Sequence, residues 1–284
     1  MVKRKLVIIL ILNMAVIMIA GAFFFKIYVY NLMLYKNTAK QSNYIRHALG
    51  GLDTYQYLNT IEALENSYKK GFRLFEVDVR FTSDDKLVLT HGWEEVDYIE
   101  RMGISYDEQN SIPTYKEFMN YKIQGRYSAT SFNDLVKYMK NHEDIFVLLD
   151  FGKCSYEETL KAYKAVVSEA NSNNKILRRF IVGGHTTDMI RAVKEVYDFD
   201  LINLYLPREE KREEELKNLD NYILFCKENN ISSFSVSTKN YTEEVAQKMK
   251  ESNLISYVFT SDNKEEVKKI FDMGANIVGT NFLE

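Results

Sequence analysis

The chain has 284 residues, of which 46% are hydrophobic and 27% charged, and its formal net charge is −3. This length suits one domain of about 240 residues plus an appendage, and the near-balanced charge leaves no footprint for nucleic-acid binding. The only two cysteines, Cys154 and Cys226, share no ligand-like spacing, so a C-x-x-C redox pair is excluded and two inert thiols are expected.

Residues 1–5 form a basic segment through Lys3-Arg4-Lys5. From Leu6 to Phe25 there is no charge and a single amide, Asn13, before Lys26 closes the run. About 20 apolar residues in a helix cross a bilayer core of roughly 30 Å, so residues 6–26 are expected to be a transmembrane anchor. No convincing small-x-small site follows, which favours an uncleaved anchor over a signal peptide. The compact Lys3-Arg4-Lys5 cluster outweighs the dispersed Lys26, Lys36 and Lys40. It predicts a single-pass protein of the cell membrane, N-terminus inside and the main domain extracytoplasmic. Residues 27–43 read as a juxtamembrane linker, with Tyr28, Tyr30 and Tyr35 suited to the headgroup belt.

Residues 44–284 read as one domain. Strand-like segments fall at 44–48, 73–80, 87–91, 145–150, 178–183, 201–206, 232–237, 255–260 and 276–280. Helical patterns at 60–70, 131–141, 156–170, 187–197, 209–229, 241–251 and 263–273 separate most of them. The first has Ile61, Leu64 and Tyr68 at helical spacing, Asn59 and Glu62 as a capping box, and Gly71 beyond its end. Repeated strand–helix units predict a parallel sheet, and about eight of them a (β/α)8 TIM barrel. Nine strands is one too many, so an irregular first half is expected around 73–91, where a turn replaces the helix. An open doubly wound sheet is the alternative, but no G-x-G-x-x-G follows the first strand. The Tyr-rich stretch 92–130 breaks the alternation and reads as an insertion over the barrel mouth.

The chemistry gathers at strand ends. Glu76 and Asp78 are two apart on a strand, so they share a face, where two carboxylates repel unless a cation or proton sits between them. His47 and His91 bracket the pair and suit proton transfer near neutral pH. If Thr82-Ser83-Asp84-Asp85-Lys86 turns between Asp84 and Asp85, cross-strand partners sum to 169 and Asp78 faces His91. Asp150 closes another apolar strand, and Lys153 puts a cation just beyond it. Singly these are ordinary surface charges and helix caps. Together, Glu76, Asp78 and Asp150 offer three oxygen ligands for one divalent cation, Mg2+ or Ca2+. Of the other histidines, His142 ends a helix and reads as structural. His185, in Gly183-Gly184-His185 after a strand, has even standing as a mouth residue.

These residues resemble the glycerophosphodiester phosphodiesterases of the phosphatidylinositol-phospholipase-C-like barrel superfamily. That family's pattern opens with a strand ending in H-R-G, then an N-T-x-x-A helix start, E-x-D, and H-D thirteen residues after that Asp. Here His47 opens it, Asn59-Thr60-Ile61-Glu62-Ala63 matches the helix start, and Glu76-Val77-Asp78 is followed by His91 thirteen residues on. Asp150 with Lys153 is similar to an E-x-K strand end. Phe259-Thr260-Ser261-Asp262 and Gly274 to Asn281 echo the C-terminal W-T-V-N and G-x-D-G-I-x-T-D. The chain departs from the pattern too. Ala48 replaces the Arg of H-R-G, Arg46 points to the opposite strand face, Gly92 replaces Asp, and Lys153 comes one position late.

The resemblance implies metal-dependent hydrolysis of glycerophosphodiesters. Glu76, Asp78 and Asp150 would hold the metal. His47 and His91 would share the acid and base roles, first closing a cyclic phosphate and then opening it with water. Lys153, with Arg46 and His185 as further candidates, would bind phosphate. A phospholipid or cell-wall-polymer substrate on the same site remains an alternative, as does a non-catalytic phosphodiester-binding barrel.

Overall fold

The nine predicted strands all form, and eight of them close into a ring. The computed structural model describes residues 2–110, 112–206 and 218–284, with few side chains described before Phe25. A helix, α1 (Val2–Ser42), leads into β1 (Tyr44–Arg46), α2 (Ile61–Lys69), β2 (Leu74–Phe81) and β3 (Leu87–Leu89). The insertion holds a π-helical turn (Asp97–Met102), α3 (Tyr115–Phe118) and a short hairpin, β4 (Lys122–Ile123) with β5 (Tyr127–Ser128). Next come α4 (Phe132–Asn141), β6 (Phe146–Asp150), α5 (Tyr156–Glu169), α6 (Asn174–Leu177), β7 (Phe180–Gly184), α7 (Thr187–Val196) and β8 (Leu201–Tyr205). The last units are α8 (Leu219–Glu228), β9 (Ser233–Ser237), α9 (Glu243–Ser252), β10 (Ile255–Phe259), α10 (Lys264–Asp272) and β11 (Ile277–Thr280). The predicted helix at 209–229 is seen from Leu219; residues 207–217 lie outside the described residues.

Parallel pairing runs β1-β11-β10-β9-β8-β7-β6-β2, and Arg46 opposite Phe75 closes β1 on β2. This is the expected (β/α)8 barrel. The surplus strand is β3, antiparallel on β2. Helix starts are capped as their sequences demand: Ser131 and Ser155 each make a reciprocal capping box, with Asp134 and Glu158. The expected cap at Asn59 moves one residue, since Thr60 accepts from the Ala63 N–H. Asn59 is freed for the site described below.

Strand alternation sorts the barrel interior into two levels. Ile45, Leu74, Phe146, Leu148, Ile181, Leu201, Ile255, Tyr257 and Ile277 form one buried apolar cluster. One pleat further along each strand, the same inward series reaches His47, Glu76, Asp78 and Asp150, so charge sits at the C-terminal rim. Tyr35 and Ala39 of α1 join the apolar cluster at 2% and 3% exposure, with the Tyr35 ring 5.7 Å from that of Phe146. Asn31 Nδ2 donates to the Arg178 carbonyl at 2.7 Å, just before β7. The segment expected as a linker, 27–43, is therefore helical through Ser42 and lies against the barrel floor. Among the described residues no helix is long and apolar enough to cross a membrane. The expected anchor, 6–26, falls mostly on side chains outside the described residues.

The insertion packs on itself through aromatic rings. Trp93, Tyr98, Phe118 and Tyr121 meet edge-on or tilted, and Trp93 Nε1 donates to the Phe81 carbonyl at 3.0 Å. Its tyrosines are spent largely on this packing, and its π-helical turn delivers two charged side chains to the barrel rim.

Candidate active site

Parallel pairing sets Asp78 beside Asp150 and Glu76 one pleat behind, so three carboxylates converge. One oxygen from each lies within 4.8 Å of the others. Each is fixed separately. The Ala48 N–H donates to Glu76 Oε2 at 2.8 Å. Asn59 clamps Asp78 with both ends of its amide: Nδ2 donates to Asp78 Oδ2 at 2.9 Å, and Oδ1 accepts the Asp78 N–H at 3.0 Å. Asp150 Oδ1 takes the Gly152 N–H at 2.6 Å and lies 2.9 Å from His185 Nε2. Burial, then the charges of Asp78 and Asp150, push the Glu76 carboxyl well above its ordinary range. Burial opposes ionisation of Asp150 as well, but His185, Arg80 and the Gly152 N–H outweigh it and hold that carboxyl low. A buried cluster in which one carboxylate resists ionisation is short of positive charge. Its all-oxygen donor set fits a hard divalent cation.

His47 follows β1 in a tight turn in which Ala48 and Leu49 both take left-handed backbone angles, φ 47° and 67°. Non-glycine residues hold such angles only under local compulsion, at a cost of about 1–3 kcal/mol each. The turn points the Ala48 N–H at Glu76. His47 Nδ1 lies 2.9 Å from Asn281 Oδ1, and Asn281 Nδ2 donates to Asp262 Oδ2 at 2.8 Å. With the amide nitrogen committed to Asp262, the amide oxygen must face the ring, so Nδ1 carries a proton. Nε2 then faces Glu76, 4.0 Å away.

His91 reaches the same rim by a different register from the one expected. Partner numbers sum to 168, as in Val79 opposite Leu89, because a loop with Asp85 at φ 58° adds a residue to the turn. Asp78 consequently faces Thr90, whose N–H donates to the Asp78 carbonyl at 3.1 Å. His91 lies past the end of β3, clear of the pleat, and its Nδ1 meets Asp97 Oδ1 at 2.9 Å. The Tyr57 ring joins the two histidines edge-on, with centroids 4.7 Å from His47 and 5.5 Å from His91.

The expected phosphate cations divide. Arg46 is 2% exposed, its guanidinium 3.6 Å over the Phe72 ring on the outer side of β1, so it does not reach the rim. That is the direction strand alternation gives the residue before His47. Lys153 is exposed beyond β6. His185 does join the site, stacked on Tyr205 with centroids 4.3 Å apart. His142 stacks on Tyr138 away from it. Sequence reading gave no site role to four contributors: Arg80 and Asp97, which it passed over, and Asp262 and Asn281, which it quoted only as motif echoes. Arg80 continues the inward series of Glu76 and Asp78, and that spacing could have found it. Arg80 donates to the Asp150 carbonyl at 3.1 Å, and its other terminal nitrogen lies 3.1 Å from where a Cβ on Gly152 would sit.

The fold has known parallels. A profile of the Glycerophosphoryl diester phosphodiesterase family matches residues 51–284, beginning just after His47. No curated protein matches the chain. Among solved structures, a glycerophosphodiester phosphodiesterase from Parabacteroides distasonis is 17% identical with a TM-score of 0.63, over 84% of this chain and 91% of that one. The Thermotoga maritima glycerophosphodiester phosphodiesterase is 17% identical with a TM-score of 0.59, over 78% and 88%. An Oleispira antarctica phosphodiesterase, solved with the product sn-glycerol-3-phosphate, is 12% identical with a TM-score of 0.64, over 84% and 92%. At these identities the structural likeness speaks to the fold, and the profile speaks to the family. The chain belongs to the glycerophosphoryl diester phosphodiesterase family, whose members are phosphoric diester hydrolases.

Proposed function

We propose that this hydrolase cleaves glycerophosphodiester-type substrates into an alcohol and glycerol phosphate, using one divalent cation and His47 and His91 as acid and base. The observation that carries the reading is the convergence of three carboxylates within 4.8 Å, with both histidines in contact with one tyrosine ring beside them. Glu76, Asp78 and Asp150 would hold Mg2+ or Ca2+, which when bound draws negative charge off the phosphate. His47 and His91 each present Nε2 as the nitrogen free to move a proton, and such a transfer typically contributes about 10²–10⁴-fold. Arg80, at the rim beside Asp150, supplies fixed positive charge for a phosphate oxygen, a role for which its position suits it better than that of Lys153. The product complex of the Oleispira phosphodiesterase supports glycerol phosphate as one half of the substrate.

The membrane forms part of the same proposal. The uncharged run Leu6 to Phe25 is long enough to span, and the basic Lys3-Arg4-Lys5 favours a domain on the extracytoplasmic side. The test is release of glycerol phosphate from a panel of glycerophosphodiesters by the full chain, with Mg2+ or Ca2+ and with chelator. Turnover that chelator abolishes and either cation restores supports the reading. Turnover indifferent to chelator removes the metal from it.

A further inference from the structure

Gly92 stands directly after His91, where the family pattern has an aspartate. A side chain there would have to displace Asp97, since a Cβ built on Gly92 would lie 2.3 Å from Asp97 Oδ2. A carboxylate therefore occupies that space after all, delivered by the π-helical turn of the insertion. Asp97 is 2% exposed, with Oδ1 2.9 Å from His91 Nδ1 and Oδ2 accepting the Glu94 N–H at 3.0 Å. Burying a carboxylate is costly unless charge and hydrogen bonds compensate it. Arg101, one helical turn on, supplies both by donating to Oδ1, and its Nη1 also lies 2.7 Å from His91 Nδ1, the two nitrogens meeting at the same carboxylate oxygen. The Arg101 guanidinium also lies over the Tyr57 ring at 4.7 Å, so the pair is braced against the ring that touches both histidines.

We propose that Asp97 is the positioning residue of His91, held in place by Arg101, so that the insertion completes the catalytic rim. The inference rests on the reading of His91 as an acid–base group. An ionised carboxylate can only accept, and Arg101 has that same oxygen to donate to, so Asp97 fixes the ring's orientation and a proton on Nδ1, leaving Nε2 to exchange a proton with the substrate. An amide in its place can offer Nδ1 its NH2 group instead, which reverses the tautomer with little change of shape.

The experiment is a double-mutant cycle on the full chain with Asp97→Asn and His91→Ala. Asp97→Asn is expected to lower kcat by about 10–100-fold, while KM and the cation concentration for half-maximal rate stay within about twofold. In the His91→Ala background it should slow the enzyme no further, because its effect passes through the ring. Imidazole ¹⁵N shifts of His91 should report the change of tautomer. Multiplicative losses in the double mutant, or a folded Asp97→Asn protein with wild-type kcat, overturn the proposal. Wild-type turnover in His91→Ala removes the acid–base reading and this inference with it, whereas a slow His91→Ala beside a fast Asp97→Asn removes this inference alone. Should Asp97→Asn fail to fold, the ¹⁵N shifts of His91 in the wild-type chain decide the question: a neutral ring protonated on Nδ1 supports the proposal, and one protonated on Nε2 overturns it.

Discussion

Asn59 begins as a plausible helix cap and ends as a two-handed clamp on Asp78, because Thr60 takes the cap and the barrel closes over both. At the scale of residues, long-range partners of this kind decide the chemistry, and they are the part least legible in the chain. Glu76 and Asp78 were readable because strand alternation puts them on one face, and Asp150 because it closes an apolar strand where a barrel gathers its reactive side chains. Asp262 and Asn281 were quoted as motif residues, yet the contact of Asn281 with His47, braced by Asp262, depends on closing β1 against β11. The acid behaviour of Asp97 gives a direct check. Burial works against its ionisation, but His91, Arg101 and the Glu94 N–H prevail and pull the carboxyl from 3.8 down to about 2. A carboxyl depressed on folding contributes stability that is present above the unfolded value and is lost as pH falls through the folded one. The contribution is roughly 2 kcal/mol at about 1.4 kcal/mol per pKa unit. The gap in urea-unfolding free energy between wild type and Asp97→Asn should therefore shrink by that amount as pH drops from about 5 to about 2. A gap that stays constant over this range would show that Asp97 is not held as an ion. For the carboxylate cluster, Asp78→Asn and Asp150→Asn should each raise the cation concentration needed for half-maximal rate, since each removes charge and a ligand. Unchanged metal titrations would exclude that residue as a ligand.

Among the elements, the strands were the most legible, since all nine show short apolar runs bounded by turn residues. The helix α6, with four residues, was too short for periodicity to register. The floor of the barrel was misread. Asn31, Tyr35 and Ala39 recur every four residues, which is a helical stripe, but neighbouring lysines and tyrosines made 27–43 look like a membrane-proximal linker. The structure turns that stripe onto the apolar cluster at the floor of the barrel, where Tyr35 meets Phe146 of β6. A chain beginning at residue 44 should therefore expose the lower barrel to water, bind hydrophobic dyes and unfold early. A chain beginning at residue 27 should not. Tyr35→Ala should cost about 3–5 kcal/mol, the range for truncating a large buried aromatic. Equal melting temperatures for the two truncated chains would mean that α1 contributes nothing to the barrel.

At the scale of the whole molecule, the C-terminal rim carries the charge and α1 crosses the opposite end, so any membrane attachment through α1 acts from the floor. The full-length chain is expected to stay in the membrane fraction through alkaline carbonate and high-salt washing, because a spanning helix is not released by screening charge. Release by either wash would dismiss the anchor and leave the barrel's chemistry untouched. The central claim is that three carboxylates and two histidines at this rim hydrolyse a glycerophosphodiester. The direct measurement is glycerol phosphate release by the full chain and by His47→Ala, in detergent with Mg2+ or Ca2+ supplied and withdrawn. The account predicts cation-dependent release by the wild-type chain and a loss of two or more orders of magnitude in the variant. A folded wild-type chain that releases no glycerol phosphate with either cation, or a His47→Ala variant that matches it, would contradict the account.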